Sequence, residues 1–142
     1  MTGDTGKIRY PNAARVLRNY EGLNYNSGST PSDIDGGFDI IGRLFVFFEF
    51  KRFGGKMSGG QQLFLERIAT CISKAGKRCI VIEANHNCSG DQEIDCANCL
   101  VSRVFDGGKW FEIKQDKMRV VDVVNGYVQE LNRKDGLNIK TP

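Results

Sequence analysis

The sequence contains no apolar run approaching the length of a membrane span. Its opening residues, MTGDTGKIRYPNAARV, lack the apolar stretch of a secretion signal. No membrane partner is therefore expected, and an intracellular protein is. Histidine is nearly missing: His86 is the only one, and it reads as a loop or core residue before a catalytic base. The five cysteines are an odd count, and Cys71 falls in a helical pattern, so a disulfide framework is not expected. Neither sign of charge dominates. Twenty Lys and Arg against 17 Asp and Glu leave a net charge of +3, which permits a nucleic-acid partner without demanding one. There is no internal repeat and no low-complexity segment.

What remains is an ordinary balance for a globular chain, 40% hydrophobic and 26% charged over 142 residues, enough for one domain, 1–142, with its own core. About seven residues at each end are expected to fray, including most of the tail DGLNIKTP. PNAARVLRNYEGL suits a short helix with Pro11 in its first turn. NYNSGSTPSD collects turn formers and reads as a loop. Two strands between Ile34 and Phe50, joined by a tight turn at Gly42-Arg43, form an antiparallel pair. SGGQQLFLERIATCISKAGK is the clearest helix, with Leu63, Phe64, Ile68, Cys71, Ile72 and Ala75 at helical spacing and Gly76 as its stop. RCIVIEA and CLVSRVF are strands separated by a polar loop, and GGKWFEI is an edge strand. DKMRVVDVVNGYVQELNRK closes the chain as a helix with Val120, Val124, Tyr127, Val128 and Leu131 on one stripe. The class is α/β, a mixed central sheet flanked by helices.

One stretch breaks the pattern. LFVFFEFK places Glu49 and Lys51 inside an apolar run, and buried charges are costly unless paired or holding a metal. Side chains alternate along a strand, so Glu49 and Lys51 share a face and Phe50 points away. Asp33, Asp35 and Asp39 share a face of the preceding strand, and hairpin pairing can set one of them beside Glu49. Two such carboxylates with the Phe50 backbone carbonyl offer hard oxygen ligands for Mg²⁺ or Mn²⁺. A cation there, with the Lys51 ammonium alongside, suits attack of water on a phosphodiester.

Asp35, thirteen residues, then Glu49-Phe50-Lys51, with Gln61 twelve residues after Glu49, resembles the PD-(D/E)XK nuclease signature. The Ser-x-x-Gln helix start in MSGGQQLFLERI resembles its virus-type replication-repair nuclease (VRR-NUC) branch. TPSDIDGGFDIIGRLFVFFEFK with EANHN and IDCANC resembles small phage-encoded members. The resemblance covers about residues 30–61 and extends more weakly to about Asn98. It implies a restriction-endonuclease-like αβββαβ core. It further implies a Mg²⁺- or Mn²⁺-dependent endodeoxyribonuclease, with Asp35 and Glu49 binding metal, Lys51 serving the attacking water and Gln61 steadying the site. By analogy it implies a homodimer acting on branched or junction DNA during viral replication or recombination, in the host cytoplasm. Pro31 is not directly followed by an aspartate, a departure from the pattern. Many relatives add a glutamate from the first helix, for which Glu21 is the candidate here. Asp39, nine residues before Glu49, is the alternative to Asp35 as first ligand.

Plainer readings stand beside these. Asp35, Glu49 and Lys51 also fit a structural ion pair at a strand end. Ser58 and Gln61 also fit a helix capping box, a role competing for the same amide. Gly59 and Gly60 weaken that first turn, which suits close approach of a phosphate to its N–H groups. His86, Cys88, Cys96 and Cys99 fit a zinc site, CANC having knuckle spacing, although Cys also serves as a small hydrophobe at a strand entry. Trp110 and Phe111 read as edge-strand packing before base stacking. Arg52, Lys56, Arg67, Lys74, Lys77 and Arg78 are solvated surface by default, with Arg52 and Lys56 best placed to contact DNA phosphates. The alternatives to a nuclease are a non-catalytic nucleic-acid-binding module on the same fold and a zinc-stabilised interaction domain.

Overall fold

A computed structural model describes residues 18–89, 92–114 and 118–142. By internal contacts the chain divides into two units, 1–31 and 32–142. In the first, the expected helix PNAARVLRNYEGL lies mostly outside the described residues, as do the first seven residues of the chain. Its end, Glu21–Leu23, forms a single 3-10 turn, entered where the Asn19 side chain accepts the Glu21 N–H at 2.9 Å.

The second unit holds strands β1 (Gly36–Ile40), β2 (Leu44–Arg52), β3 (Arg78–His86), β4 (Leu100–Asp106) and β5 (Lys109–Glu112). Its helices are α1 (Gly59–Lys74) and α2 (Val120–Asp135). The strands lie in chain order across one five-stranded sheet. Every neighbour is antiparallel except β2 and β3, whose parallel pairing follows from the α1 crossover between them. The architecture is α/β with a mixed sheet, as the sequence implies. Among the described residues two strands precede α1, one fewer than in an αβββαβ pattern.

Alternation sorts the strand side chains onto two faces. Leu44, Val46, Ile80, Ile82 and Val104 pack against Val120, Val123 and Val128 of α2. Cys79, Val81 and Phe105 pack against Leu65 and Ala69 of α1 on the other face. Each large aliphatic side chain withdrawn fully from water stabilises the fold by about 1.5–3 kcal/mol. The α1 stripe differs from the expected one. Leu65 is fully buried while Leu63 is 45% exposed, and Phe64, Cys71 and Ala75 also face outward. The helix is rolled so that Gln61 and Gln62 face the sheet, where polar groups receive them. Arg78 also departs from expectation. It is no solvated cation, since it pairs with Asp106 at 2.7 Å and Glu130 at 3.4 Å. The tail after α2, expected to fray, is tied back by Asn132, whose amide bonds both the N–H and the carbonyl of Ile139. No described helix is long and apolar enough to cross a membrane.

Candidate metal centre

The β1–β2 hairpin turns at Ile41–Arg43, with Ile41 and Gly42 both at positive φ and the Arg43 N–H donating to the Ile40 carbonyl. This sets Gly36 opposite Phe48, and one step further Asp35 faces Glu49. Phe48 and Phe50 stack toward the α2 side at a centroid distance of 5.7 Å. Glu49 and Lys51 accordingly face α1.

Asp35 Oδ2 accepts the Phe50 N–H at 2.7 Å, which anchors the aspartate just before β1 begins. A strand residue directs its N–H and carbonyl to the same side, so the Phe50 carbonyl also points to the edge where Asp35 sits. Glu49 is 0% exposed. Its Oε1 accepts from Gln61 Nε2 at 3.3 Å, and its Oε2 is buried without a hydrogen-bond partner. The Lys51 ammonium lies 3.6 Å from that oxygen and donates to Gln61 Oε1 at 2.9 Å. The Gln61 amide therefore ties the acid to the amine, one end to each.

Burial raises the Glu49 carboxyl, the charge and hydrogen bonding of Asp35 raise it further, and Lys51 lowers it; the result is about 7. Two neighbouring carboxyls repel when both are ionised, unless something positive lies between them, a shared proton or a cation. The orphaned Oε2 fits a divalent cation, with Asp35, Glu49 and the Phe50 carbonyl as its ligands. Among the described residues no three His, Cys, Asp or Glu side chains converge as a metal group, so a cation held here would take further ligands from the backbone or from water.

The competition at the helix start is resolved by division. Ser58 Oγ accepts the Gln61 backbone N–H at 3.2 Å, while the Gln61 side chain serves the acidic site. A Cβ on Gly59 or Gly60 would meet no atom within 4 Å, so packing does not demand glycine at either position. Asp39 is not in the site. It lies opposite Phe45 near the turn, where its Oδ2 accepts the Gly42 N–H at 2.9 Å. Glu21 lies in the 3-10 turn of the 1–31 unit, exposed to solvent. Arg52, the last residue of β2, and Lys56, just beyond the turn that follows, are exposed.

Among the described residues, His86, Cys88, Cys96 and Cys99 do not gather as a zinc site. Cys88, Cys96 and Cys99 each direct a thiol to a backbone carbonyl, of Glu93, Ile94 and Asp95. Burial first, then Cys96 and Cys88, push the Cys99 thiol up to about 11. Trp110 does pack, its ring 3.9 Å beneath the Arg103 guanidinium and its Nε1–H donated to Glu66 at 2.6 Å. Phe111 is exposed.

Sequence reasoning overlooked a second buried acid. Glu83 lies beside Glu49 in the β2–β3 register and interrupts RCIVIEA much as Glu49 interrupts its own strand, so the signal was available. Burial pushes its carboxyl up, but hydrogen bonds from Arg103 (2.8 Å) and the Met57 N–H (3.0 Å) outweigh that and hold it below its ordinary value. Arg103 also donates to Gln62 Oε1 at 2.8 Å. Glu83 and Arg103 thus grip residues on both sides of Ser58 and fix the segment that delivers Gln61. No family model matches this chain, and no curated protein or solved structure matches it either.

Proposed function

We propose that this chain is a Mg²⁺- or Mn²⁺-dependent deoxyribonuclease, a VRR-NUC-like member of the PD-(D/E)XK superfamily with a restriction-endonuclease-like core, acting as a structure-specific endonuclease on branched DNA. The observation that carries the reading is Glu49, a wholly buried carboxyl with one unpartnered oxygen, facing Asp35 and flanked by an ammonium. The Lys51 ion pair leaves that oxygen without a hydrogen bond, the ammonium being 3.6 Å away, and an unsatisfied buried acceptor costs about 1–3 kcal/mol.

Asp35, Glu49 and the Phe50 carbonyl would hold the cation. When bound, it would offset charge on the phosphate oxygens and make water nucleophilic near neutral pH. The chain's own residues do the rest. Gln61 fixes the direction of the Lys51 ammonium, so that amine can orient a water and stabilise negative charge at the attacked phosphate. The exposed Arg52 and Lys56 supply contacts to flanking phosphates without reading sequence.

Purified protein given Mg²⁺ or Mn²⁺ should nick a four-way junction or plasmid. Lys51→Ala should lower the rate about 100-fold or more while retaining DNA binding. Glu49→Gln should weaken Mn²⁺ binding in calorimetry. Cleavage undiminished in the Lys51→Ala protein would remove the lysine from the mechanism. DNA binding without cleavage by the wild type would favour the non-catalytic module, and stoichiometric zinc in elemental analysis the interaction domain.

A further inference from the structure

Phe53, on the turn after β2, is 73% exposed. That turn is stiff. The Phe53 N–H donates to the His86 carbonyl at 2.9 Å, and the Gly55 N–H to the Arg52 carbonyl at 2.7 Å. Gly54 has a φ of +85°, and a Cβ on Gly55 would lie 2.9 Å from the Arg52 carbonyl oxygen. The backbone therefore presents the phenyl ring from a fixed position, two residues beyond Lys51, yet the ring contributes little to either core. A lone exposed apolar side chain needs no explanation. This one forms a wall of a cavity of about 700 Å³, within the range of about 300–1,000 Å³ usual for small-ligand sites.

The cavity shares an end of the sheet with Lys51, since Asn85, in its wall, stands opposite Lys51 in the β2–β3 register. Asn85 and Asn87 bring amides, and His86 an imidazole whose Nδ1 accepts the Cys88 N–H, so its Nε2 is left for a ligand. Asn85 Oδ1 is buried and has no hydrogen-bond partner. Asp95 and Glu112 also line the space, and their carboxylates repel a phosphate. A flat apolar ring, neutral donors and acceptors, and walls hostile to anions together match a nucleobase, not its backbone. The phosphates belong outside, on Arg52 and Lys56, which flank Phe53.

We infer that this cavity accepts one unpaired base of the DNA strand beside the cut, stacked on Phe53 and hydrogen-bonded by the Asn85–Asn87 segment. The inference rests on the nuclease reading for the position of the cut. A base in a continuous duplex cannot enter without leaving its stack. Single strands and the unpaired bases of branch points are therefore the favoured substrates.

The test is fluorescence anisotropy in the cleavage-silent Lys51→Ala background with Mg²⁺, using a short labelled single strand and the same backbone made wholly abasic. Adding Phe53→Ala should weaken the single strand about tenfold, the usual reach of one base–aromatic stack, and leave the abasic strand unchanged. Phe53→Trp should restore affinity. Equal losses on both strands, no loss on either, or no binding at all would overturn the inference. Metal-dependent cleavage of single-stranded circles by the wild type separates the two readings. No cleavage with the base-dependent loss intact removes hydrolysis and leaves the pocket; cleavage with a base-independent loss does the reverse.

Discussion

Ionising Glu49 costs the folded chain more than the unfolded one, because folding removes its carboxyl from water and sets Asp35 beside it. Its pKa rises from an ordinary 4.5 to about 7, so between those values the folded state binds the proton more tightly than the unfolded state does. The stability contributed by the protonated acid is complete below about pH 4.5 and is lost as pH rises through about 7. Glu49→Gln keeps the shape and cannot titrate. In urea titrations with chelator present, wild type should lose stability relative to Glu49→Gln by up to about 3 kcal/mol across that window, at about 1.4 kcal/mol per pH unit. A difference that stays flat with pH would mean that Glu49 titrates as it does in the unfolded chain. Lys51 pulls in the opposite direction, so Lys51→Ala should move the upper end of the window to higher pH.

The start of α1 joins stability to function, and the two can be separated. Ser58→Ala removes the oxygen that caps the Gln61 N–H and should cost about 1 kcal/mol in urea unfolding, with cleavage by the folded fraction little changed. Gln61→Ala keeps the cap, which uses only backbone at that position, but unties Lys51 from Glu49. Its cleavage rate should fall by about tenfold or more, with a smaller loss of stability. The reverse pattern would assign the glutamine to capping. At the hairpin, Ile41 sits at φ 48°, a conformation that crowds a β-branched side chain, and its side chain is 58% exposed. Ile41→Asn creates the Asn-Gly pair that this turn geometry favours and should stabilise by up to about 1 kcal/mol; an unchanged urea midpoint would show the strain to be absent. The hairpin and its acids were legible because strand alternation and spacing fix which side chains meet. The buried face of α1 was not. Hydrophobic periodicity turned Leu63 and Phe64 inward, but that helix is oriented by two glutamines, and apolar patterning gives a glutamine no inward signal. Glu83 carried the same mark as Glu49, an acid inside an apolar run, but its partner was not legible, because Arg103 arrives from a strand 20 residues away, a distance that no local pattern spans.

Across the whole molecule the net charge of +3 is too small to hold a polyanion by itself, so attraction must come from where cations cluster. Arg52, which closes β2, and Lys56 flank Phe53 at one end of the sheet. Lys134, also exposed, sits near the end of α2 beside Arg43 and Leu44, at the opposite end of β2. Each phosphate neutralised on a single strand releases bound counterion and contributes about −0.7 to the slope of log affinity against log salt. Arg52→Ala and Lys56→Ala should each make that slope shallower by about 0.7 on single-stranded DNA, with affinity lowered similarly for unrelated sequences. Lys134→Ala should leave the slope where it was. The three substitutions remove the same unit of charge, so net charge cannot produce such a difference and position must. Equal effects from all three would mean that DNA is drawn diffusely to the surface, and the basic turn would lose its role in bringing a phosphate to Lys51.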